Sequence, residues 1–326
     1  MASDAPGPAS TDGASVGGAS ADGASESPRS GTVALVGRPN AGKSTLLNRL
    51  LGEKVAIVSD KPQTTRHRIV GIHSEERGQI VFYDTPGVHK PLYRMNRAMV
   101  SHATDSLNGA DVVCLLVDAS QSFGSGDQYL LDLVERSEGP KLLLLNKIDQ
   151  IDKRRLLPLL ERYGATGLFE ELIPISALRG EGAEIVLEEL FRRLPEGPPL
   201  YDSELLTVHP ERFLVAERIR EKVLEQTRDE IPFTSAVLLD RWEEDDATGL
   251  VRIFATVLVE KPGQKSIVIG RQGRRIKSIG MAARKDLEEY LERRVYLDLQ
   301  VRLEPDWREN QRLLTELDRD LHGRLD

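Results

Sequence analysis

The sequence predicts an α/β domain with a mostly parallel sheet covered by helices, followed by a smaller α+β domain. Between residues 31 and 194, short apolar runs alternate with longer amphipathic stretches, which is typical of a parallel sheet with helices on both faces. After a segment rich in proline and glycine, residues 211–304 show the order helix, strand (233–242), strand, helix, helix, strand. The length of 326 residues agrees with about two domains.

Composition and charge restrict the class of protein. The chain is 40% hydrophobic and 29% charged, and no apolar run approaches the ~18 residues that a membrane-spanning helix needs. An integral membrane protein is therefore not expected. The single cysteine, Cys114, cannot form an internal disulfide, which favours a reducing cytoplasm. The net charge of −8 argues against a protein that coats nucleic acid generally, although a local basic patch can still bind it.

The first 30 residues are expected to form a disordered tail. They include 22 residues of Ala, Gly, Ser or Pro and no Leu, Ile or aromatic residue, so they cannot bury enough surface to offset the entropy of ordering. They lack the basic start and apolar core of a secretory signal, so such a signal is not expected. A cleaved targeting segment remains the alternative. Order is expected to begin near Gly31.

Five apolar runs are predicted to be the buried strands of the first domain. They are residues 32–36, 79–83, 111–117, 141–145 and 172–175. Because ligands bind at the carboxyl ends of strands in such a sheet, the segments that follow these runs are the candidates for function.

The first predicted strand ends in the glycine-rich loop Gly37-Arg38-Pro39-Asn40-Ala41-Gly42-Lys43-Ser44. It satisfies G-x-x-x-x-G-K-[ST] between a strand and a helix, which is the pattern of a phosphate-binding loop. The glycines would let backbone N–H groups close around phosphates at a helix start. Lys43 would reach the β- and γ-phosphates, and the Ser44 hydroxyl would bind Mg²⁺. A glycine-rich turn of no functional consequence is the alternative.

The second predicted strand is followed by Asp84-Thr85-Pro86-Gly87. A carboxylate at a strand end and a glycine N–H after it favour an Mg²⁺-linked acid and a contact with a γ-phosphate. A Pro-Gly turn capped by Asp84 is the alternative interpretation.

Two segments that follow later predicted strands could recognise the base of a nucleotide. The carboxylate of Asn146-Lys147-Ile148-Asp149 could accept hydrogen bonds from N1–H and the exocyclic amine of guanine, which adenine cannot donate. Sites built around such hydrogen bonds can favour the correct ligand over an analogue that cannot form them by a factor of roughly 10⁴–10⁵. Ser176-Ala177-Leu178 would supply N–H groups to the guanine O6, with a helix N-cap at Ser176 as an equally open interpretation.

In this order, the four segments resemble the P-loop GTPases over about residues 32–190. The resemblance implies Mg²⁺-dependent hydrolysis of GTP to GDP, with catalytic roles for Lys43, Asn40, Thr65 and Gly87. It also identifies residues 61–68 as a switch loop whose threonine binds Mg²⁺ in the GTP state, although a solvated basic loop is equally allowed. The implied metal ligands are Ser44, Asp84 and Thr65, with Thr64 close behind. The implied GTP-binding residues are Gly37, Arg38, Pro39, Asn40, Ala41, Gly42, Lys43, Ser44, Asp84, Thr85, Pro86, Gly87, Val88, Asn146, Lys147, Asp149, Ser176, Ala177 and Leu178.

Val88 stands where Ras-like enzymes have the glutamine that positions the attacking water. Hydrolysis by a glutamine-positioned water is therefore not expected. Resemblance to bacterial GTPases that lack this glutamine implies a potassium ion held partly by Asn40. Without such a cation, turnover should be slow.

The second domain contains a run of basic residues without acidic ones. Residues 261–285 contain eight basic residues and no acidic one, which by charge alone fits a solvated helix face as well as a binding surface. The run includes the G-x-x-G loop at residues 270–273, which would let a nucleic-acid backbone approach closely beside an apolar groove. Its context resembles a bacterial KH domain in the type II arrangement. The implied RNA-binding residues are Ile267, Ile269, Gly270, Arg271, Gln272, Gly273, Arg274, Arg275, Ile276 and Lys277.

A P-loop GTPase joined to a KH domain resembles the Era family of bacterial GTPases, over most of residues 32–304. The resemblance implies a monomer that binds the 3′ end of small-subunit ribosomal RNA and acts in 30S subunit assembly and rRNA maturation, with GTP favouring the RNA-competent domain arrangement. It also implies a cytoplasmic protein with peripheral association at the inner membrane. The alternatives are a second domain that regulates a protein or membrane partner without RNA, and a metabolite kinase that uses the same phosphate loop.

The expected division of the chain is a tail at 1–30, the GTPase domain at 31–194, a linker at 195–210, the KH domain at 211–304 and a C-terminal helix at 305–326. The tail and the charged end after Trp307 depart from the family pattern. Asp306 and Glu309 are expected to cap the last helix. Its leucine stripe (Leu313, Leu314, Leu317, Leu321) is expected to pack against protein rather than lipid. The acidic run 243–246 is expected in a turn between strands.

Overall fold

A computed structural model describes residues 27–61, 64–87, 106–228 and 231–322, with the side chains of 232–233 and 318–322 excepted. Val88 and part of the predicted switch loop lie outside the described residues, as does the tail up to residue 26. The described elements of the first domain are β1 (Arg29–Gly37), α1 (Lys43–Leu51), β2 (Ile69–Glu75), β3 (Gly78–Asp84), β4 (Val112–Asp118), α2 (Ser125–Glu135), β5 (Lys141–Asn146), α3 (Leu156–Gly164), β6 (Glu171–Pro174) and α4 (Ala183–Arg193).

The first domain is built on a sheet in the order β2-β3-β1-β4-β5-β6. All neighbours are parallel except β2, which pairs antiparallel with β3 at the edge. The predicted fold class is confirmed. The five predicted strands form, but β2 was missed because Gly71 interrupts its apolar pattern. A Cβ at Gly71 would lie 2.7 Å from Leu47, so the glycine lets α1 pack closely on this strand.

Alternate residues of the same strands face two separate cores, as a doubly covered sheet requires. Leu35, Cys114 and Leu144 face the layer that contains α1 and α4. Val36, Leu115 and Leu145 face the layer that contains α2 and α3. These side chains are fully or almost fully buried, so the sheet holds the loops at its carboxyl edge on a rigid base.

Both ends of the first domain are tied to its sheet. The strand β1 begins at Arg29, three residues earlier than predicted, because the Arg29 N–H donates to the Arg77 carbonyl and the Ser30 N–H to the Pro195 carbonyl. The segment after Pro195 then covers the edge strand β2. The Ile72 N–H donates to the Leu206 carbonyl at 2.8 Å, and the Val70 N–H donates to His209 Nε2 at 2.9 Å. The segment predicted as a linker thus satisfies edge groups that would otherwise face solvent.

The second domain contains a three-stranded sheet in the order β7 (Ala236–Asp245), β8 (Leu250–Val259), β9 (Arg294–Leu303). Its first four helices pack on one face of this sheet through a core that includes Ile219, Val268 and Leu287. The pair β7/β8 is antiparallel and the pair β8/β9 is parallel, in agreement with the predicted α+β order. The elements are α5 (Glu211–Gln226), α6 (Ile231–Thr234), β7 (Ala236–Asp245), β8 (Leu250–Val259), α7 (Pro262–Ile269), α8 (Arg274–Leu291), β9 (Arg294–Leu303) and α9 (Gln311–His322).

Three local expectations in the second domain were wrong. Residues 233–234, expected at the start of a strand, belong to the short helix α6. Most of the acidic run 243–246 lies in β7 rather than in the turn, because β7 stays paired with β8 as far as Asp245 and Leu250. The N-cap of α9 is Asn310, whose Oδ1 accepts the N–H groups of Arg312 and Leu313, whereas Asp306 has a left-handed backbone.

The leucines of α9 pack against protein, as expected. Leu313, Leu314 and Leu317 contact a cluster that includes Leu258 and Trp307. The fourth leucine, Leu321, lies outside the described side chains. Among the described parts of the chain, no helix combines the length and the apolar character needed to cross a bilayer.

Candidate nucleotide site and nucleic-acid interface

A cavity of about 330 Å³ opens at the carboxyl edge of the first sheet. It joins the loop after β1 to the loops after β5 and β6, so the segments predicted to bind phosphate, metal and base meet in one place. The residues that line it are Pro39, Asn40, Gly42, Lys43, Ser44, Thr45, Ile57, Val58, Ser59, Asp60, Thr64, Thr65, Gly87, Asn146, Lys147, Asp149, Gln150, Ala177 and Leu178.

The phosphate loop is closed tightly over the start of α1. Gly42 has a φ of 99°, and a Cβ there would lie 2.2 Å from Asn146 Nδ2, so only glycine fits. The buried Lys43 ammonium donates to the carbonyls of Gly37 and Arg38 at 3.2 and 3.1 Å. Burial lowers the pKa of Lys43 to about 8, although the negative charge of Asp84 acts to raise it. A phosphate group would restore the charged form.

Three oxygen-bearing side chains converge beside Lys43. The Ser44 hydroxyl donates to Asp84 Oδ2 at 2.6 Å and lies 2.9 Å from the Thr65 hydroxyl, which is 3.3 Å from the same carboxylate oxygen. Asp84 is fully buried, and its Oδ1 has no hydrogen-bond partner. Burial raises the pKa of this carboxyl, although Lys43 and the two hydroxyls oppose the shift. An unpartnered buried carboxylate oxygen among hydroxyls fits Mg²⁺, which takes hard oxygen ligands and leaves positions for substrate phosphates.

The two threonines of the switch loop have different surroundings. The Thr65 hydroxyl lies in the oxygen cluster just described. The Thr64 hydroxyl instead donates to the Lys61 carbonyl at 2.6 Å. Of the two predicted metal ligands, Thr65 therefore has the geometry that a ligand needs.

The end of the cavity predicted to bind the base is organised by side-chain hydrogen bonds between loops. Asn146 donates to the Ala41 carbonyl at 2.8 Å and accepts the Ala177 N–H at 2.9 Å, so it joins the phosphate loop to the loop after β6. Ser176 donates to Asp149 Oδ1 at 2.7 Å and thereby orients that carboxylate. No helix begins at Ser176, because α4 starts only at Ala183. The N-cap interpretation of this residue was wrong.

Some predicted GTP-site residues lie behind the cavity wall. The Thr85 hydroxyl donates to the Leu35 carbonyl at 2.8 Å and anchors the strand end. Arg38 points away from the cavity to Asp127, at 3.1 Å. Of the predicted residues that the structure describes, those that do not line the cavity are Gly37, Arg38, Ala41, Asp84, Thr85, Pro86 and Ser176.

Sequence reasoning missed the cavity wall formed by residues 57–60. Asn48 of α1 shapes the start of this wall, since its Oδ1 accepts the N–H groups of Val55 and Ala56 at 3.0 and 2.9 Å. No sequence motif identifies these residues, because the cavity wall is formed by backbone atoms and by side chains of common types.

The G-x-x-G loop of the second domain forms a sharp connection between α7 and α8. Gly270, Gln272 and Gly273 all have positive φ values, of 71°, 54° and 72°. A Cβ at Gly270 would lie 2.6 Å from the Arg275 Cβ, so glycine is required there. Nothing lies within 4 Å of the Cβ position of Gly273, and the loop side chains of Arg271 and Gln272 are exposed.

The predicted RNA-binding residues surround this loop. Ile267 is 39% exposed, and Ile269 and Ile276 are half-buried, so apolar surface adjoins the loop. Arg275 donates to the Ile267 carbonyl at 2.8 Å and fixes the two helices together. Arg274 and Lys277 are exposed. Cations, exposed glycine backbone and apolar surface are the features that a single-stranded nucleic acid requires.

Comparisons with known proteins agree with this division of roles. A family model described as a 50S ribosome-binding GTPase matches residues 32–147, and a KH domain model matches residues 230–308. GTPase Era of Syntrophus aciditrophicus is 47% identical over 288 residues, which cover 88% of this chain and 94% of that protein. GTPase Era of Geobacter metallireducens is 46% identical over 289 residues, which cover 89% and 97%.

Two solved structures are similar over 89% of this chain and 98% of their own, each at 37% identity. One is a single-residue variant of Aquifex aeolicus Era bound to GDP·AlF4⁻, with a TM-score of 0.85. The other is Era in complex with MgGDPNP and nucleotides 1506–1542 of 16S ribosomal RNA, with a TM-score of 0.86.

Proposed function

The chain belongs to the Era family of GTPases, and from this premise we propose that it is a GTP-controlled protein that binds the 3′ end of small-subunit ribosomal RNA and acts in 30S assembly and rRNA maturation. The observation that carries the proposal is the combination, in one chain, of a cavity with a guanine-binding end and a phosphate-binding end and a basic G-x-x-G loop with apolar surface beside it. A solved relative holds both kinds of ligand together.

For hydrolysis, we propose that this chain's residues bind and orient the nucleotide. Asp149 accepts from the guanine edge, the N–H groups of the phosphate loop hold the phosphates, and Lys43 neutralises charge on the γ-phosphate. Ser44 and Thr65, with Asp84 behind them, would hold Mg²⁺, which when bound offsets negative charge that develops on the phosphates. Gly87 presents its N–H to the γ-phosphate. A glutamine does not follow Gly87 in the sequence, so the water must be positioned by other groups.

The first test is binding of a short single-stranded RNA that copies the ribosomal 3′ end, to protein loaded with a GTP analogue or with GDP. We expect salt-sensitive binding that is stronger with the analogue. The double variant Arg271→Asp/Gln272→Asp should weaken binding about tenfold or more, because it places two carboxylates where phosphates approach.

A matched control for this test is Arg252→Asp, which makes one of the same substitutions at an arginine of β8 outside the basic run. The control should keep most of its affinity. Absence of binding in every nucleotide state would contradict the RNA assignment and favour a protein or membrane partner for the second domain.

We also propose that a potassium ion assists hydrolysis and is held partly by Asn40. Asn40 lines the cavity with a φ of 62°, and its Nδ2 donates to the Asp60 carbonyl at 2.6 Å. This bond fixes the side-chain amide and leaves Asn40 Oδ1 as the atom that could bind a monovalent cation. Replacing K⁺ by Na⁺ should lower kcat at least about tenfold, a small part of the ~10³–10⁵ that an arginine finger supplies. Asn40→Asp should lower kcat in K⁺ and bring the K⁺/Na⁺ ratio towards one. Turnover that is indifferent to the monovalent ion would refute this role.

Location and assembly state are proposed from the family resemblance. We expect a monomer in the cytoplasm with some peripheral association at the cytoplasmic face of the cell membrane. Analytical sedimentation and flotation with lipid vesicles are the direct measurements.

A further inference from the structure

The second domain contacts the switch loop on both sides of Thr65. The carbonyl of Thr64 accepts a hydrogen bond from Arg220 Nη2 of α5, a residue 156 positions away in the chain. On the other side, Arg66 Nη1 donates to the Ser235 carbonyl, just before β7, at 2.7 Å. Thr65, which belongs to the oxygen cluster with Ser44 and Asp84, is thus held between two bonds to the KH domain.

The Arg220 side chain is buried and is held in place by another residue of α5. It is 2% exposed, and Glu217, one turn earlier, accepts hydrogen bonds from its Nε and Nη2 at 2.7 and 2.6 Å. Although burial acts to raise the pKa of Glu217, the charge and hydrogen bonds of Arg220 hold it below its ordinary value. The ion pair therefore stays charged and fixes the direction in which the guanidinium donates.

The preceding cavity wall is held by the same helix. Glu221 Oε1 accepts the Val58 N–H at 2.9 Å. Arg218 donates to the Lys54 carbonyl at 2.8 Å and to Asp286 of α8 at 3.0 Å. Three residues of α5 thus bind the backbone of the segment that runs from α1 through the cavity wall to the switch loop.

We propose that Arg220 is a positioning residue for the nucleotide site: by binding the Thr64 carbonyl, with Arg66 anchored on the far side, it holds the Thr65 hydroxyl where Mg²⁺ and the γ-phosphate of GTP require it. This inference rests on the proposed function, since it concerns the same GTP site. Its consequence is that the KH domain supports the GTP state but not the GDP state, because only the GTP state uses the switch threonine. By reciprocity of coupling, a ligand that moves α5 changes the affinity for GTP.

The test compares Arg220→Met with wild-type protein, using the full chain. Affinity for a non-hydrolysable GTP analogue should fall about tenfold, the loss expected for one charge-assisted hydrogen bond. The Mg²⁺ concentration that gives half-maximal single-turnover hydrolysis should rise by a similar factor. Affinity for GDP should stay within about twofold, since GDP does not engage Thr65. Arg220→Lys, which keeps a donor, should restore part of the loss.

Two further variants keep the test decisive. Arg252→Met removes an arginine of the same domain that is 41% exposed and contacts only Asp245 among the ion pairs of the described residues, so it should behave as wild type. Glu217→Met/Arg220→Met removes both charges and avoids a buried unpaired carboxylate, in case Arg220→Met does not fold. Equal losses for the GTP analogue and GDP, or no loss for either in a folded variant, would overturn the inference. A wild-type protein that does not hydrolyse GTP would instead overturn the proposed function.

Discussion

Asp149→Asn is expected to lower the affinity for GDP and GTP by about 10⁴-fold, the scale on which sites built around hydrogen bonds to a substrate reject an analogue that leaves a buried group unpaired. The carboxylate lies at the base-binding end of the cavity, and Ser176 donates to its Oδ1 at 2.7 Å. An asparagine retains an acceptor but turns an N–H₂ group towards the guanine donors. Xanthine, which carries a carbonyl in place of the exocyclic amine, can accept from that group. The affinity for XDP should therefore rise in the variant.

The measurement is competition of GDP and XDP for the same labelled nucleotide. Asp152→Asn is the matched control: it makes the same change three residues later, at an exposed carboxylate that only caps a turn by accepting the Arg154 N–H. It should leave both affinities unchanged. If Asp149→Asn weakened GDP and XDP by the same factor, the carboxylate would be supporting the loop and not reading the base.

The strands and the phosphate loop could be predicted from sequence because their causes are local. Apolar runs such as 141–145 must be buried, and the loop from Gly37 to Ser44 turns through the positive φ values of its own Asn40 and Gly42. The strand β2 could not be predicted, since its pattern is broken by Gly71. What makes that glycine tolerable is a close contact with Leu47, more than twenty residues earlier in the chain.

The side chains that orient the site depend on contacts between distant segments. Ser176 orients Asp149 across 27 positions, and Arg220 binds Thr64 across 156. The residue types alone leave other roles open, as the N-cap interpretation of Ser176 shows. Motifs therefore identify which groups do chemistry, whereas the fold decides which residues hold those groups in place.

Gly87→Ala is expected to lower kcat for GTP about 10²–10³-fold, the effect of removing one backbone donor from a developing negative charge. A Cβ at Gly87 would lie 2.6 Å from both N and Cα of Pro39, and these backbone atoms cannot rotate away. The phosphate loop is held by the bonds of Lys43 to the Gly37 and Arg38 carbonyls. The strain should therefore displace the segment after β3, together with the Gly87 N–H that we propose faces the γ-phosphate.

Because GDP has no γ-phosphate, its affinity for the Gly87→Ala protein should stay within about threefold of wild type, so the effect separates into a large loss of kcat and a small change in GDP binding. Single-turnover hydrolysis and GDP titration measure the two quantities. Gly164→Ala is the control, since nothing lies within 4 Å of the Cβ position at the end of α3. A variant with normal kcat would show that the segment after β3 adapts to the methyl group. A parallel loss of GDP affinity would mean that the phosphate loop moves instead, and either result would contradict the predicted displacement of the Gly87 N–H.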